Sequence, residues 1–252
     1  MINKSQNITV MRLATPLSGE ADVPGTQAVD ASWRGLYLAG GICAILYVLL
    51  SLIIPTVMVL TTGYDFSMDG AVFLEAVAAH PTWWLVLQTL VIGTSILAIV
   101  VFVALFLSMK HLDKSLAALG SMIAIVIEIL FLAYYPVLLG IIYLSEEYTQ
   151  ADAALRDVYI SAAEALIAQN NAFNPLYESL LATGILLLSL VMLKGVFNRG
   201  IAYLGIVTAP VAFVCLALWP IIGVAYFWWW SLFVLWFLAI GWTLIRLGRE
   251  KH

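Results

Sequence analysis

Charge is scarce in this sequence: Asp, Glu, Lys and Arg make up 10% of its 252 residues, against about a quarter in soluble domains. With 63% hydrophobic residues and a mean hydropathy of +1.03, too little polar surface remains to clothe a water-soluble globule. Histidine is equally sparse. His80, His111 and His252 are the only three, and all fall at or beyond the ends of apolar runs, so paired histidines at haem-ligating depth are excluded. There is no HExxH, no pair of Asp inside an apolar run, and no GxxxxGKS/T phosphate loop, which removes metal-dependent and aspartyl intramembrane proteolysis and nucleotide hydrolysis. A serine nucleophile lacks a His or Lys base within the bilayer, so enzymatic activity is left only as lipid-surface chemistry on outer acids. No cofactor and no metal site is expected. A net charge of −4 without a basic cluster leaves nothing to hold a nucleic acid.

Long apolar runs are what the chain has in abundance. A hydrocarbon core of about 30 Å takes roughly 20 residues of helix, and six stretches qualify: Gly35 to Leu60, Trp83 to Ser108, Ser115 to Tyr143, Pro175 to Val196, Ile201 to Ile222 and Trp228 to Leu247. The expected fold is an all-α polytopic membrane protein with six transmembrane helices across residues 33–248, preceded by a flexible tail, 1–32. That tail mixes Ser, Thr, Gln, Gly and Pro without periodicity and reads as a disordered or loosely attached segment, not as a signal peptide.

Charge is segregated around these runs. Lys4, Arg12, Arg34, Lys110, Lys114, Lys194, Arg199, Arg246, Arg249 and Lys251 fall on one side and only Arg156 on the other, so both termini are expected to be cytoplasmic. The opposite connections carry Asp65, Asp69, Glu75, Glu146, Glu147, Asp152, Asp157 and Glu164. Trp83, Trp84, Trp219 and Trp228 to Trp230 gather at that outer end, where amphipathic rings are favoured. Cys43 and Cys215 lie about 12 Å and 20 Å along their helices from the inner face, at 1.5 Å per residue, too different in depth for a disulfide.

Two outer segments, 61–81 and 146–174, hold helical patterns and are expected to lie as short amphipathic helices on the outer face. Asp69 is placed to cap the first, and Pro81 to end it or turn it into the next span. Asn174 and Pro175 read as a cap and first-turn proline separating the second from the fourth span. These helices either connect the spans or cap an opening between them.

Within the apolar runs, Glu128 stands out. It lies roughly 20 Å from the inner end of the third span, where a charged residue costs about 2.5–3.5 kcal/mol on insertion scales. Ser121 and Tyr135, seven residues to either side, share its stripe, and Pro136 leaves the carbonyl of Leu132 without its usual donor. The stripe suits a proton or substrate site, and equally a structural hydrogen bond between helices. Gln88, Glu178, Tyr134 and Tyr177 lie at comparable depth or nearer the outside and could line a vestibule down to Glu128; alternatively, Glu178 answers the positive end of its helix dipole. Gly35, Ala39, Gly40, Ala117 and Gly120 offer close-approach faces for packing. The functional expectation is non-enzymatic binding of a lipid, a small amphipathic molecule or a membrane partner, in the bilayer and with a homo-oligomer conceivable. Proton-coupled transport through Glu128 and service as an accessory subunit are the alternatives.

Gly35-Leu36-Tyr37-Leu38-Ala39-Gly40 opening the first span, His80-Pro81 before the second, the Glu164 to Asn171 helix before the fourth, and Ile201-Ala202-Tyr203-Leu204-Gly205-Ile206 opening the fifth resemble a family of uncharacterised bacterial six-helix membrane proteins, a domain of unknown function. The resemblance spans most of residues 35 to 248. It implies a bacterial cytoplasmic (inner) membrane location and the same helix count, and it carries no activity or site residue.

Overall fold

A computed structural model describes residues 30–62, 69–135, 139–195, 197–222 and 228–250. The described residues form helices and no strand: α1 (Arg34–Thr62), α2 (Gly70–Ala79), α3 (Pro81–Met109), α4 (Lys114–Tyr134), α5 (Gly140–Gln150), α6 (Ala153–Met192), α7 (Arg199–Ile222) and α8 (Trp228–Arg249). Six of these, all but α2 and α5, are long and apolar enough to cross a membrane, and the chain is a multi-pass membrane protein. Their outward faces are apolar, with Ile42, Leu49, Met122, Ile129, Val214 and Trp242 exposed, as lipid contact demands. Residues 1–29 of the tail expected over 1–32, Pro136 and much of the connection after α1 lie outside the described residues, while Ala31–Trp33 form a short 3-10 helix leading into α1.

The spans form a closed ring in chain order: α1 packs on α3, α3 on α4, α4 on α6, α6 on α7, α7 on α8, and α8 returns to α1. Where lipid is as apolar as leucine, close packing has to hold such a ring. Glycine provides it. A Cβ at Gly41 would come 2.7 Å from the carbonyl oxygen of Gly241 and 2.8 Å from the amide of Ile245, so α1 and α8 touch backbone to backbone. A Cβ at Gly184 would meet the carbonyl of Gly120 at 3.0 Å, which draws α6 onto α4. Gly40 makes room for the Ala104 methyl of α3, whereas Gly35 faces open space. Cys43 and Cys215 are both free thiols.

The basic ends of the spans lie together. There Asp113 caps α4, its Oδ1 accepting from the amide of Leu116 at 3.0 Å while its Oδ2 accepts from Lys194 Nζ at 2.7 Å. The Lys194 ammonium first, and the Leu116 amide second, hold the Asp113 carboxyl below the usual carboxylate range. Lys110 lies over the ring of Trp33, 5.6 Å from its centroid.

At the opposite end, α2, α5 and the first half of α6 pack on one another around a second core of Leu74, Val77, Trp84, Ile141, Tyr148 and Ala163. Asp69 caps α2 as its position suggests, accepting from Val72 N at 2.9 Å. Pro81 opens α3 directly behind His80.

Two boundaries differ from the sequence reading. The third span ends at Tyr134, not Tyr143, because Ile141 and its neighbours belong to α5 and the cap core; one apolar run serves two burial environments. The segment before the fourth span is no separate amphipathic helix capped at Asn174: α6 runs unbroken for 40 residues through Pro175. The proline deprives the Asn171 carbonyl of its donor, but Phe173 and Tyr177 on either side are held against α4 by Phe131, whose ring centroid lies 6.4 Å from Phe173 and 5.0 Å from Tyr177. Of the tryptophans at this end, Trp83 and Trp228 are exposed while Trp84 and Trp229 are fully buried, since neighbours about 100° apart on a helix cannot share a face.

Gly41→Ala is expected to destabilise the bundle by about 1–3 kcal/mol through overpacking against backbone, read as a lower thermal midpoint in detergent. Gly93→Ala, where nothing lies within 4 Å, is expected to be neutral or slightly stabilising. Because the folded carboxyl of Asp113 titrates below its unfolded value of about 3.9, the ion pair's contribution is whole above that pH and fades as pH falls through the lowered value. Asp113→Asn therefore lowers the midpoint at neutral pH and converges with the native chain in acid.

Candidate functional site

Tyr47 in α1, Ser95 in α3, Glu128 in α4 and Tyr177 in α6 each stand thirteen to fifteen residues from the basic end of their helix. At 1.5 Å per residue they share a level about 20 Å in. All four point into the ring and are at least nine-tenths buried. Tyr177 donates its hydroxyl to Glu128 Oε1 at 2.8 Å. Ser95 approaches the same carboxyl from α3, and Tyr47 comes up to Tyr177 from α1, on the far side of the ring. Glu128 itself is 1% exposed, and its Oε2 has no hydrogen-bond partner among the described residues.

The next residue along α6, Glu178, turns away from α4 and toward Trp229 of α8. The indole N–H is drawn up to this carboxyl without closing a well-formed hydrogen bond, so Glu178 Oε2 and Trp229 Nε1 both remain unsatisfied. Gln88 lies two turns from Ser95 on the same face of α3, toward the cap, buried and with its Oε1 also unpartnered. Buried polar atoms are nearly always hydrogen-bonded, so such a concentration marks the centre of the ring as unusual.

The surroundings are closed. Between the centre and the cap, rings fill the α4–α6 seam: Tyr135 stacks on Phe131 at 4.6 Å, and Tyr134 on Phe173 at 4.3 Å. Aromatic side chains thus fill the seam between these two helices. Toward the basic end Phe102, Ala124, Ile127, Leu181, Ile185 and Phe237 are fully buried or nearly so. Across from the carboxyls, Tyr47 packs edge-on to Phe233 at 5.9 Å and against Phe237 at 4.7 Å, with Trp229 6.1 Å from Phe233.

Of the residues singled out from sequence, Glu128 and Glu178 belong to this centre, and Gln88 lies along its α3 wall. Ser121 is buried two turns nearer the basic end with its hydroxyl unpartnered, while the Tyr134 hydroxyl is unpartnered within the aromatic seam. Tyr135 contributes its ring to that seam. Sequence reasoning passed over Tyr47 and Ser95, and read Trp229 as an interfacial ring. Equal distance from the basic helix ends could have signalled the first two; the reach of Trp229 across the ring has no sequence signature. Among the described residues no three His, Cys, Asp or Glu stand close enough to hold a metal ion.

Comparison with protein-family models, with curated proteins and with solved structures finds no match to this chain.

The Tyr177–Glu128 hydrogen bond is expected to contribute about 0.6–1.7 kcal/mol, the range measured between membrane helices. A double-mutant cycle of Tyr177→Phe with Glu128→Leu checks this by unfolding in mixed micelles; additive effects would show that the bond contributes nothing.

Proposed function

We propose that this chain is a non-enzymatic protein of a bacterial cytoplasmic membrane that receives the polar head of a small amphipathic molecule or lipid at the centre of its helix ring. The observation that carries the reading is Glu128 Oε2, an acceptor without a partner on a carboxyl whose other oxygen Tyr177 already holds. Leaving a buried acceptor unmatched costs about 1–3 kcal/mol, a deficit that a donor-bearing ligand removes. The aromatic walls of Tyr47, Phe131, Phe233 and Trp229 suit an apolar body behind that head. The distribution of Lys and Arg supports cytoplasmic termini, with the α2–α5–α6 cap facing outward.

Native mass spectrometry of the intact chain after gentle extraction is expected to show a small retained adduct that Glu128→Gln loses. A reproducibly bare native chain counts against the reading.

A second reading, proton-coupled transport, draws on the row Ser95, Glu128, Tyr177 and Tyr47 that crosses the ring from α3 to α1. In proteoliposomes it requires Glu128→Gln to abolish flux driven by a pH gradient while leaving the protein folded, and unchanged flux rejects it.

A further inference from the structure

The half of α6 that stands in the cap is apolar on two sides. One stripe, through Ala163 and Tyr177, is buried within the chain. The opposite stripe comprises Ala154, Val158, Ser161, Ala165, Ala168 and Ala172, all of them exposed. A helix surface turned to water ordinarily carries its charged and polar residues there. This stripe carries no charge, and its one hydroxyl is turned back on the helix: Ser161 donates to the carbonyl oxygen of Asp157 at 2.9 Å. Val158 within it and Leu155 at its edge are 60% and 50% exposed. The six residues recur at alternating steps of four and three, the heptad spacing of a seam between two helices. Most are small enough to let two backbones approach closely.

We infer that this stripe is the contact between two copies of the chain, packed in parallel along the cap halves of their α6 helices. The membrane sets the direction. α6 runs unbroken from the cap into a membrane span, so two copies inserted the same way point these helices alike and hold the stripe at one height, as a two-fold contact requires. The charges agree with that direction. Asp157 and Glu164 line one edge of the stripe, while Leu155, Ala162 and Gln169 line the other. In a parallel pair opposite edges meet, which sets Asp157 near Ala162 and Glu164 near Gln169 of the second copy. In an antiparallel pair like edges meet, and Asp157 would oppose Glu164. A lipid surface suits the stripe less well, because helices that lie on membranes present Trp, Phe and Leu edged by Lys and Arg, and here alanines are edged by acids. Copies already aligned in one bilayer have also lost part of the freedom that association removes, so a narrow seam has less to offset.

The test is cysteine crosslinking of the full chain in native membranes, with Cys43 and Cys215 replaced by alanine. In a parallel pair each seam residue faces its own counterpart, within the reach a disulfide needs. Ala165→Cys and, separately, Ala168→Cys are therefore expected to give a disulfide-linked dimer on mild oxidation. Arg156→Cys, on the other side of the same helix, and Ala79→Cys, exposed on α2, are expected to stay unlinked. In the otherwise native chain, Ala165→Glu sets like charges across the seam and is expected to raise the concentration at which dimers dissociate in mild detergent by about tenfold or more. Its circular dichroism should match the native chain, because Ala165 is exposed within a single copy. Equal linking at Arg156 and Ala79 reports random collision and overturns the proposal. A link at Ala165 without one at Ala168 is what an antiparallel crossing gives, and overturns the parallel arrangement. If the native chain stays monomeric and Ala165→Cys links only to a different protein, or the stripe is quenched by brominated lipids, the second copy is not its occupant.

Discussion

Inside hydrocarbon a carboxyl has no water to turn to, and that constraint organises this structure. Glu128 is tolerable only because Tyr177 reaches it from a neighbouring helix and because Ser95 and Tyr47 bring hydroxyls to the same level from two more. The α4 and α6 helices are thereby fixed in depth relative to each other. Apolar packing alone is a weak guide to register in a bilayer, since sliding a leucine face along another loses little. A hydrogen bond at 2.8 Å does not slide.

Closeness comes from elsewhere. The backbone contacts of Gly41 with Gly241 and of Gly120 with Gly184 bring α1 to α8 and α4 to α6, tightening the ring at two well-separated seams. Both contacts occur where side chains would otherwise hold the helices apart. The outcome is an interior dense toward the basic end, polar at one level, and sealed by stacked rings below the cap. In such a place unmatched acceptors keep their full cost, because bulk water does not relieve them.

The six spans were legible because hydropathy and length act residue by residue: α1, α3, α7 and α8 begin and end within two residues of their expected bounds. Glu128 was legible for the same reason, as the costliest residue in its run. What failed were the places where burial changes character without changing composition. Ile141 is apolar for the sake of the cap core rather than lipid, so the third span read nine residues too long. Pro175 carries the local signal of a helix start, yet contacts of Phe173 and Tyr177 with α4 override it. Tyr47 escaped notice, and Trp229 read as an interfacial ring, because what each faces across the ring has no signal in the sequence.

The unbroken course of α6 has a mechanical meaning. At 40 residues the helix is about 60 Å long, twice the hydrocarbon thickness, so its first half is a lever standing in the cap and its second half a post in the bilayer. Pro175, where the backbone ladder lacks a rung, sits two residues ahead of Tyr177 and three ahead of Glu178. The missing rung therefore lies within one turn of both side chains, at the join between the cap half and the bilayer half of the helix.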